Sequence, residues 1–519
     1  MFRSTGLLIL FSFLGQALGL AVQVVLAHRF GTGVEVDAYV VAMTLPGLVE
    51  AFVLAAVAQL LLPLLVRRFE KGESDEAWRV LSTLLTVLCG GLLVLSVPVA
   101  MARETIAGLL APGLDPEATR LAGGYLAGLF PGLGLGVAAA LLTQAFYARR
   151  RFVMPALVGA VAQVIPLGAV LLFAGPLGLW SLIAGSVIAK GAVLVPLAWV
   201  LLRRGATLRP RAELRHPEIR RLAWLALPVL VAVASARMNG AVDRLFVSFL
   251  GDGKLAALGY ADRLVGLVLA VLVAPVTAVL YPALAACEAQ GNRRELFRVL
   301  DRGMRAVIAG MIPFTVALCV LATPAMRLLF EGGRFSDADT SRVAGILISY
   351  GGILVLGGVG SLLVRGFYAI GNVRDPMIWG GFVPLASNVI FDALVFRRWD
   401  VYGVAAVTSA NALLGLPIVY VILKKRMGAE TVGGWVSFLL RAGAAGAFMV
   451  WVMRLLSSRL PASGGALDAI VPLLLLGVAG FASYVCAAWF LRLDPVTETL
   501  ARVRDALGVR GFGILGALR

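Results

Sequence analysis

The feature that most constrains this chain is a succession of long apolar runs separated by short polar connections. A helix needs about 20 mostly apolar residues to cross the hydrocarbon core of a bilayer. The runs that approach this length are 6–27, 38–66, 77–101, 121–147, 153–174, 178–202, 222–250, 256–286, 303–329, 343–370, 375–396, 399–423, 434–458 and 466–491. Hydrophobic residues make up 60% of the 519 residues and charged residues only 14%, which indicates that lipid is the solvent. The sequence therefore predicts an all-α polytopic membrane protein with about 14 transmembrane helices.

The basic residues lie mostly in alternate connections between these runs. The basic connections are those around Arg67 to Lys71, Arg149 to Arg151, Arg203 to Arg221, Arg293 to Arg305 and Lys424 to Arg426. Cytoplasmic loops of membrane proteins carry an excess of Lys and Arg. We therefore expect both termini in the cytoplasm and the protein in the bacterial cytoplasmic (inner) membrane. The net charge of +17 is explained by these loops, so nucleic acid is not an expected partner.

Sequence matches in the same order relate the two halves of the chain. The matched pairs are Pro63 and Pro282, Gly72 and Gly291, Arg79-Val80-Leu81 and Arg298-Val299-Leu300, Leu109-Leu110 and Leu328-Leu329, Phe146-Tyr147-Ala148 and Phe367-Tyr368-Ala369, and Pro155 and Pro376. Each half holds six predicted spans, so the halves share an orientation and predict a repeat about an axis along the membrane normal.

The repeat predicts a domain organisation. An N-lobe of six spans occupies 1–205, a basic cytoplasmic linker 206–221, and a C-lobe of six spans 222–426. Two further spans occupy 427–491, and a basic cytoplasmic tail at 492–519 is expected to lie on the anionic leaflet. Two lobes around a central cavity predict a transporter that works by alternating access. A passive bundle with an inherited duplication is the alternative.

Charged residues within the predicted spans are candidate functional residues, because a charge at the bilayer centre costs roughly 2.5–3.5 kcal/mol on insertion scales. They are Glu50, Lys190, Arg237, Asp243, Arg244, Asp262, Arg263, Arg365 and Asp392. We expect Arg237 and Asp243 to project to roughly similar faces of one span, with Arg237 as an anion contact. A salt bridge between Arg237 and Glu50 is the alternative. For Lys190, Asp262 and Arg263 a structural role is as well supported as a functional one.

Oxygen-bearing side chains form a second candidate site. Asn388 and Asp392 are spaced i, i+4 and share one helix face. With Asp243 and Thr408 they supply the hard oxygen ligands that suit sodium, or a site for a proton. A buried hydrogen-bonded cluster is the alternative interpretation.

The sequence does not predict an enzyme. It lacks a nucleotide-binding P-loop and a nucleophile elbow, and the short connections leave little room for a catalytic domain. The four cysteines fall in apolar stretches and the two histidines are far apart, so no disulfide framework, metal centre or cofactor is expected beyond the candidate coupling ion.

Several motifs resemble those of one family. They are Phe30-Gly31-Thr32-Gly33 leading to Asp37-Ala38-Tyr39, Tyr260-Ala261-Asp262-Arg263-Leu264, Leu329-Phe330-Glu331-Gly332-Gly333-Arg334-Phe335, and Gly366-Phe367-Tyr368-Ala369 through Pro376. With the two extra spans after the repeat, the chain resembles the MurJ/MviN lipid II flippase family of the multidrug/oligosaccharidyl-lipid/polysaccharide exporter superfamily.

The resemblance implies a two-lobed cavity that moves an undecaprenyl-pyrophosphate-linked precursor to the outer leaflet, driven by a cation gradient or the membrane potential. It implies that cavity arginines hold the pyrophosphate, and the matching arginine here is Arg263. The sodium site of some members maps onto Asp243, Asn388, Asp392, Thr408 and the Val404 carbonyl.

The chain also departs from the family pattern. Where the family carries arginines on its first two spans, this chain has Gln16, Val22 and Glu50. We expect Arg237 and Arg365 to compensate from the other lobe. The predicted substrate-binding residues are therefore Arg263, Arg237, Arg365, Glu50, Gln16 and Asp37.

Four functions follow from these features. A flippase of the lipid-linked peptidoglycan precursor is favoured, and a flippase of another polyprenyl-linked oligosaccharide is the closest alternative. A cation-coupled multidrug exporter is the third. The fourth is a membrane scaffold that recruits the cell-wall synthesis machinery through the basic loops and tail. The expected partners are a lipid-linked glycan and membrane lipids, together with that machinery.

Overall fold

The structure, a computed structural model, describes residues 2–372, 374–428, 434–459 and 470–506, and the regular structure of these residues is helical. The helices of the first half are α1 Phe2–Phe30, α2 Val34–Ala56, α3 Leu62–Glu70, α4 Ser74–Met101, α5 Arg103–Leu110, α6 Pro116–Leu129, α7 Gly132–Ala148, α8 Val153–Ala162, α9 Val164–Leu177 and α10 Trp180–Arg203. The second half contains α11 Pro217–Ser248, α12 Lys254–Ala289, α13 Arg293–Val320, α14 Ala322–Phe330, α15 Asp337–Ser349, α16 Gly351–Ala369, α17 Arg374–Met377 and α18 Val383–Met427. These are followed by α19 Trp435–Ser457, α20 Ile470–Phe490 and α21 Asp494–Ala506. Two π-helical turns, Val57–Leu61 and Ile378–Phe382, join α2 to α3 and α17 to α18.

The all-helical prediction is confirmed, but the count of 14 spans is not. Among the described residues, 12 helices are long and apolar enough to cross a membrane, or up to 13 if α6 and α7, which meet at 40°, form one bent span. The segment Arg374–Met427 is counted once although it has 54 residues and its backbone is non-helical at Asp400 (φ 56°, ψ −158°). Since about 20 residues suffice for one crossing, this segment is long enough for two, and a fourteenth span stays a prediction.

The internal repeat is visible in the order and length of the helices. The helices α4 and α13 have 28 residues each, and each follows a glycine with positive φ, Gly72 or Gly291. The next three helices have 8, 14 and 17 residues in the first half and 9, 13 and 19 in the second. The third of these ends at Ala148 in one half and at Ala369 in the other. The matched motifs therefore mark equivalent helix ends.

The helices group into two compact units that differ from the predicted lobes. Unit 1 comprises Met1–Arg263, Phe330–Val343 and Met377–Val407, and unit 2 comprises Leu264–Leu329, Ala344–Pro376 and Thr408–Arg519. In unit 1, α2 packs on α6 and α11, α10 on α7 and α9, and α1 on α8. In unit 2, α13 packs on α16 and α19, and α19 on α20. Because the units group nearby helices rather than sequence repeats, the predicted lobe boundaries stay a prediction.

The predicted linker at 206–221 lies against α3 and α4. The backbone N–H groups of Arg209 and Arg211 donate to Ser82 Oγ (3.3 Å) and Thr86 Oγ1 (3.0 Å). Glu213 and Glu218 form salt bridges to arginines of α4 and α3. The helix α11 begins inside the predicted linker, where Pro217 takes the first helical position. The last part of the predicted tail, 507–519, lies outside the described residues.

Asp37 closes the amino end of α12 from a different helix. Its carboxylate, 2% exposed, accepts from the backbone N–H groups of Gly253 (2.5 Å) and Ala256 (2.6 Å). These donors belong to the first turn of α12, where no intrahelical acceptor exists. The negative charge also complements the positive end of the helix dipole. Asp37 therefore stabilises the junction of α2 and α12.

We predict that Asp37→Ala destabilises the protein more than Asp115→Ala. Asp115 also caps a helix, accepting from Ala118 N–H at 2.7 Å, but it is exposed, so water replaces its carboxylate. At the buried site the two amides stay unpaired, which costs about 1–3 kcal/mol each. The measurement is thermal unfolding of the purified variants in one detergent. Equal decreases in unfolding temperature would contradict the proposed role of Asp37.

Candidate functional site

A polar cavity of about 570 Å³ lies within unit 1, in otherwise apolar segments. Its walls come from α1 and α2 of the first sequence half and from α11 and α12 of the second. Its charged lining residues are Arg237, Arg244, Asp262 and Arg263. Three cations against one carboxylate give the cavity a net positive charge, so it is suited to an anion.

The helix α11 places two of these arginines in the cavity because of its periodicity. Arg237, Gly240, Ala241 and Arg244 all line the cavity. Residues seven apart lie about two turns apart on one face of a helix. Arg244 donates to Thr44 Oγ1 at 3.0 Å and lies 3.9 Å from the Asp262 carboxylate. Arg244 is therefore held by its neighbours.

Arg263 and Arg237 are not neutralised in this way. Neither forms a hydrogen bond or a salt bridge to a side chain in the described part of the chain. The Arg263 guanidinium lies over Gly19 of α1, so close that a Cβ atom there would be 2.8 Å from Nη2. Glycine at this position therefore lets the guanidinium reach the cavity, and both arginines keep their N–H groups available to a ligand.

The structure does not pair Glu50 with Arg237, the alternative that the sequence left open. Glu50 instead forms a salt bridge to Lys190 of α10, with 3.1 Å between Oε2 and Nζ. The two side chains are 35% and 28% exposed. The prediction that Arg237 and Asp243 project to similar faces is wrong, because six residues turn a helix by about 240°.

The remaining predicted substrate residues lie elsewhere. Gln16 is half-buried on α1. Arg365 is half-buried in α16, in unit 2. Asp37 does not line the cavity, since its carboxylate binds the backbone of α12. The assignment of Gln16, Arg365 and Asp37 to substrate stays a prediction.

The predicted carboxylate cluster is present in unit 1. Asp243, Asn388 and Asp392 are 5%, 1% and 0% exposed. The Asn388 amide nitrogen lies 2.6 Å from Asp243 Oδ1 and 3.1 Å from Asp392 Oδ2. The other oxygen of Asp392 is buried without a hydrogen-bond partner.

Close packing of α11 brings these residues together. A Cβ on Gly381 would overlap Ser235, so only glycine allows α11 to approach the π-helical turn before α18 this closely. Asp243 follows Ser235 by about two turns, as Asn388 follows Gly381. A buried carboxylate oxygen without a hydrogen-bond partner, such as this one of Asp392, is the arrangement that a bound cation satisfies.

Three of the four motifs that resemble the MurJ/MviN family contribute to one cluster, which we call the motif cluster (Phe30–Gly33, Tyr260 and Phe330–Phe335). Tyr260 donates its hydroxyl to the Gly31 carbonyl at 2.9 Å, and its ring packs on Phe330 and Phe335. Arg334 N–H donates to the His28 carbonyl at 2.9 Å. A Cβ on Gly31 would lie 2.5 Å from the Arg334 carbonyl oxygen, so the contact requires glycine. These motifs therefore build a close contact, and Tyr39, Tyr260, Asp262 and Arg263 among them also line the cavity.

The sequence predictions missed Gln23, Tyr39 and Thr44 as cavity residues. An uncharged polar side chain costs less free energy in a membrane span than a charged one, so it does not stand out in the sequence as a functional candidate. Helical spacing could have identified Gln23, because it lies on the face of α1 that carries Gln16 and Gly19.

Comparisons with known proteins agree with this geometry. The family described as Lipid II flippase MurJ matches residues 26–473. "Lipid II flippase MurJ" of Burkholderia cenocepacia is 27% identical over 452 residues, covering 84% of this chain and 86% of that protein. "Probable lipid II flippase MurJ" of Rhizobium meliloti is 29% identical over 425 residues, covering 80% and 75%.

Solved structures share the fold. A structure of a lipid II flippase MurJ in an inward closed conformation has a TM-score of 0.80 at 22% identity and covers 94% of this chain and 99% of that one. An inward-facing multidrug resistance MATE family transporter has a TM-score of 0.65 at 16% identity, with 80% and 94% covered. Because the family match extends over most of its 519 residues, this chain belongs to the lipid II flippase MurJ family.

Proposed function

We propose that this protein moves lipid II, the undecaprenyl-pyrophosphate-linked peptidoglycan precursor, from the inner to the outer leaflet of the cytoplasmic membrane. The observation that carries the proposal is the set of three arginines, Arg237, Arg244 and Arg263, in one cavity of an apolar helical protein. Membership of a family whose relatives are named lipid II flippases supports the substrate. The protein acts as a transporter and not as an enzyme.

The cavity suits a pyrophosphate because guanidinium groups recognise phosphate oxygens through paired N–H donors. Arg237 and Arg263 make no salt bridge within the described residues, so their donors meet the ligand without first breaking one. Arg244 shares its charge with Asp262 at 3.9 Å and stays near Thr44. In this proposal Arg237 and Arg263 hold the pyrophosphate and Arg244 raises the local potential.

Transport across the membrane requires a change of access and an energy source. We infer an alternating-access cycle, with both termini in the cytoplasm as the basic loops indicate. The carboxylate cluster is the candidate coupling site: Asp243, Asn388, Asp392, Thr408 and the Val404 carbonyl would hold sodium, which would supply the positive charge that the two buried carboxylates require. The buried Asp392 oxygen without a hydrogen-bond partner supports this fit.

A flippase of another polyprenyl-linked oligosaccharide is the second candidate. One observation favours it: the charged cavity-lining residues come only from α11 and α12, whereas α1 and α2 contribute none. This distribution of charge on one side of the cavity fits a substrate that shares the pyrophosphate of lipid II but carries a different glycan. The two candidates share the pyrophosphate and differ in the glycan.

We predict that the chain restores growth in a bacterium whose own lipid II flippase is switched off. Survival should be accompanied by lipid II that is accessible to a membrane-impermeant reagent at the outer leaflet. As a control, a fluorescent fusion of the expressed protein must show that it is inserted in the membrane. If a well-inserted protein leaves lipid II inside, the second candidate is favoured and lipid II transport is refuted.

We predict that Arg237→Gln weakens binding of undecaprenyl pyrophosphate about tenfold or more, because a charge-assisted hydrogen bond contributes roughly 1.5–3 kcal/mol. Growth rescue should fail in the same variant. The matched control is Arg220→Gln, which removes an exposed arginine near the start of the same helix. Normal binding by Arg237→Gln would remove Arg237 from the site.

We predict that sodium raises the unfolding temperature of the wild-type protein relative to potassium at equal ionic strength, since a ligand that binds only the folded state stabilises it. Asp243→Asn and Asp392→Asn should abolish the difference. The control is Asp400→Asn, which alters a carboxylate of α18 that pairs with Lys254 at 2.9 Å. An equal unfolding temperature in both salts for the wild type would support a hydrogen-bonded cluster instead.

A further inference from the structure

The ion pair between Glu50 and Lys190 lies within the membrane-spanning segments, and the proposed function does not use it. Its two atoms are 3.1 Å apart, and both side chains remain partly exposed. An ion pair within an apolar segment that served only to neutralise two charges could be replaced by apolar residues without loss of stability. The position of the pair relative to the cavity therefore bears on its role.

Glu50 lies on the face of α2 that lines the cavity. Met43 and Gly47 of this helix are cavity-lining residues. Glu50 follows Met43 by about two turns and Gly47 by about one, so the three side-chain positions share a face. Glu50 is not itself a lining residue, and its position follows the lining residue Gly47 by about one turn.

Glu50 also lies at the same depth as Arg237. The helix α11 runs antiparallel to the span Val34–Glu70, which contains α2 and α3. Thr44 of α2 contacts Arg244 of α11, and Arg67 of α3 pairs with Glu218 near the start of α11. Glu50 is about 9 Å beyond Thr44 along α2, and Arg237 is about 10 Å beyond Arg244 in the same direction along α11. An anion that binds Arg237 therefore comes to the level of Glu50.

This placement creates a conflict of charge. An anion drawn to Arg237 is repelled by a carboxylate at the same depth, most strongly where water is scarce. The Lys190 ammonium is the cation already at that carboxylate. If the ammonium turned from the Glu50 carboxylate to the incoming anion, its positive charge would still be paired with a negative one.

The surroundings of Lys190 allow such an exchange. The pair lies against the backbone of α7 at Gly136, where a Cβ would be 3.4 Å from Glu50 Oε1 and from Lys190 Nζ. A Cβ there would also be 3.2 Å from Lys190 Cδ, so a larger residue would crowd the lysine stem. Lysine carries its charge on a flexible stem with freely rotating donors, unlike the planar fork of arginine.

We propose that Lys190 is a further anion-binding residue of the cavity, with Glu50 as the counter-ion that it exchanges for the substrate's pyrophosphate. The inference rests on the proposed function, since it assumes a pyrophosphate-bearing lipid. The inference also predicts which headgroups bind. Because the ligand must compete with the Glu50 carboxylate for Lys190, a headgroup of lower charge binds less well. Undecaprenyl phosphate is therefore a poorer ligand than undecaprenyl pyrophosphate.

The test measures binding of undecaprenyl pyrophosphate, undecaprenyl phosphate and uncharged undecaprenol to the full-length protein in nanodiscs. The variants are Glu50→Gln, Lys190→Gln and the double substitution, with Lys190→Met as a second form that removes the charge. Glu50→Gln should bind pyrophosphate severalfold more tightly and discriminate less against the monophosphate. Lys190→Gln should bind about tenfold more weakly. Thermal unfolding identifies any variant that is misfolded.

The double variant separates contact from simple neutralisation. If Lys190 contacts the anion, adding Lys190→Gln to Glu50→Gln still weakens binding about tenfold. If Lys190 only neutralises Glu50, its removal in that background changes nothing, and the inference is overturned. Weaker binding by both single variants would also overturn it, since it would indicate a structural pair.

The outcome for the proposed function is read separately. A wild-type protein that binds pyrophosphate no better than undecaprenol refutes the proposed function and the inference with it. A wild-type protein that binds pyrophosphate through Arg237, but is indifferent to Lys190 in the Glu50→Gln background, refutes the inference alone.

Discussion

The hydrocarbon core offers no hydrogen-bond partners, and the rest of this structure depends on that constraint. Backbone groups in lipid must be satisfied within each span, so the described chain is built of helices. Helix ends must also be closed where they are buried. Asp37 closes the amino end of α12 from α2, where local capping would leave two amides without partners. The same requirement explains why polar groups of the spans occur in clusters rather than alone.

The pairing of charges separates structural residues from candidate binding residues. Lys254 with Asp400 and Glu50 with Lys190 are ion pairs within the described chain. Arg237 and Arg263 have no such partner and both line the cavity. A charge without a counter-ion is costly in an apolar segment, and we propose that a ligand supplies the counter-charge. In our proposal the Glu50–Lys190 pair belongs to both classes.

The motifs that identify the family are mostly not the residues that bind. Gly31, Tyr260 and Phe335 meet in the motif cluster, where glycine permits backbone contact and aromatic rings fill the space around it. Such a contact tolerates few substitutions, so its sequence is distinctive. The charges that line the cavity come from α11 and α12: Arg237, Arg244, Asp262 and Arg263. Asp262 and Arg263 belong to a motif as well, so the motifs and the cavity overlap there.

The sequence by itself determined the helical membrane class, the internal repeat and the family. It also identified the charged residues within the spans as functional candidates, because their insertion in a membrane costs free energy. Apolar length and helical spacing act locally, and a charge within a span is visible in one dimension. It grouped Asp243, Asn388 and Asp392 as candidate cation ligands, and in the structure the Asn388 amide nitrogen lies 2.6 Å and 3.1 Å from the two carboxylates. Their role as a cation site stays a prediction. Only the tertiary structure decided which charges meet: that Glu50 pairs with Lys190 and not with Arg237, that Asp37 caps α12, and that Arg244 and Thr44 line the cavity. These contacts join residues far apart in the chain, and their distances depend on how helices pack, which spacing along a single helix does not specify.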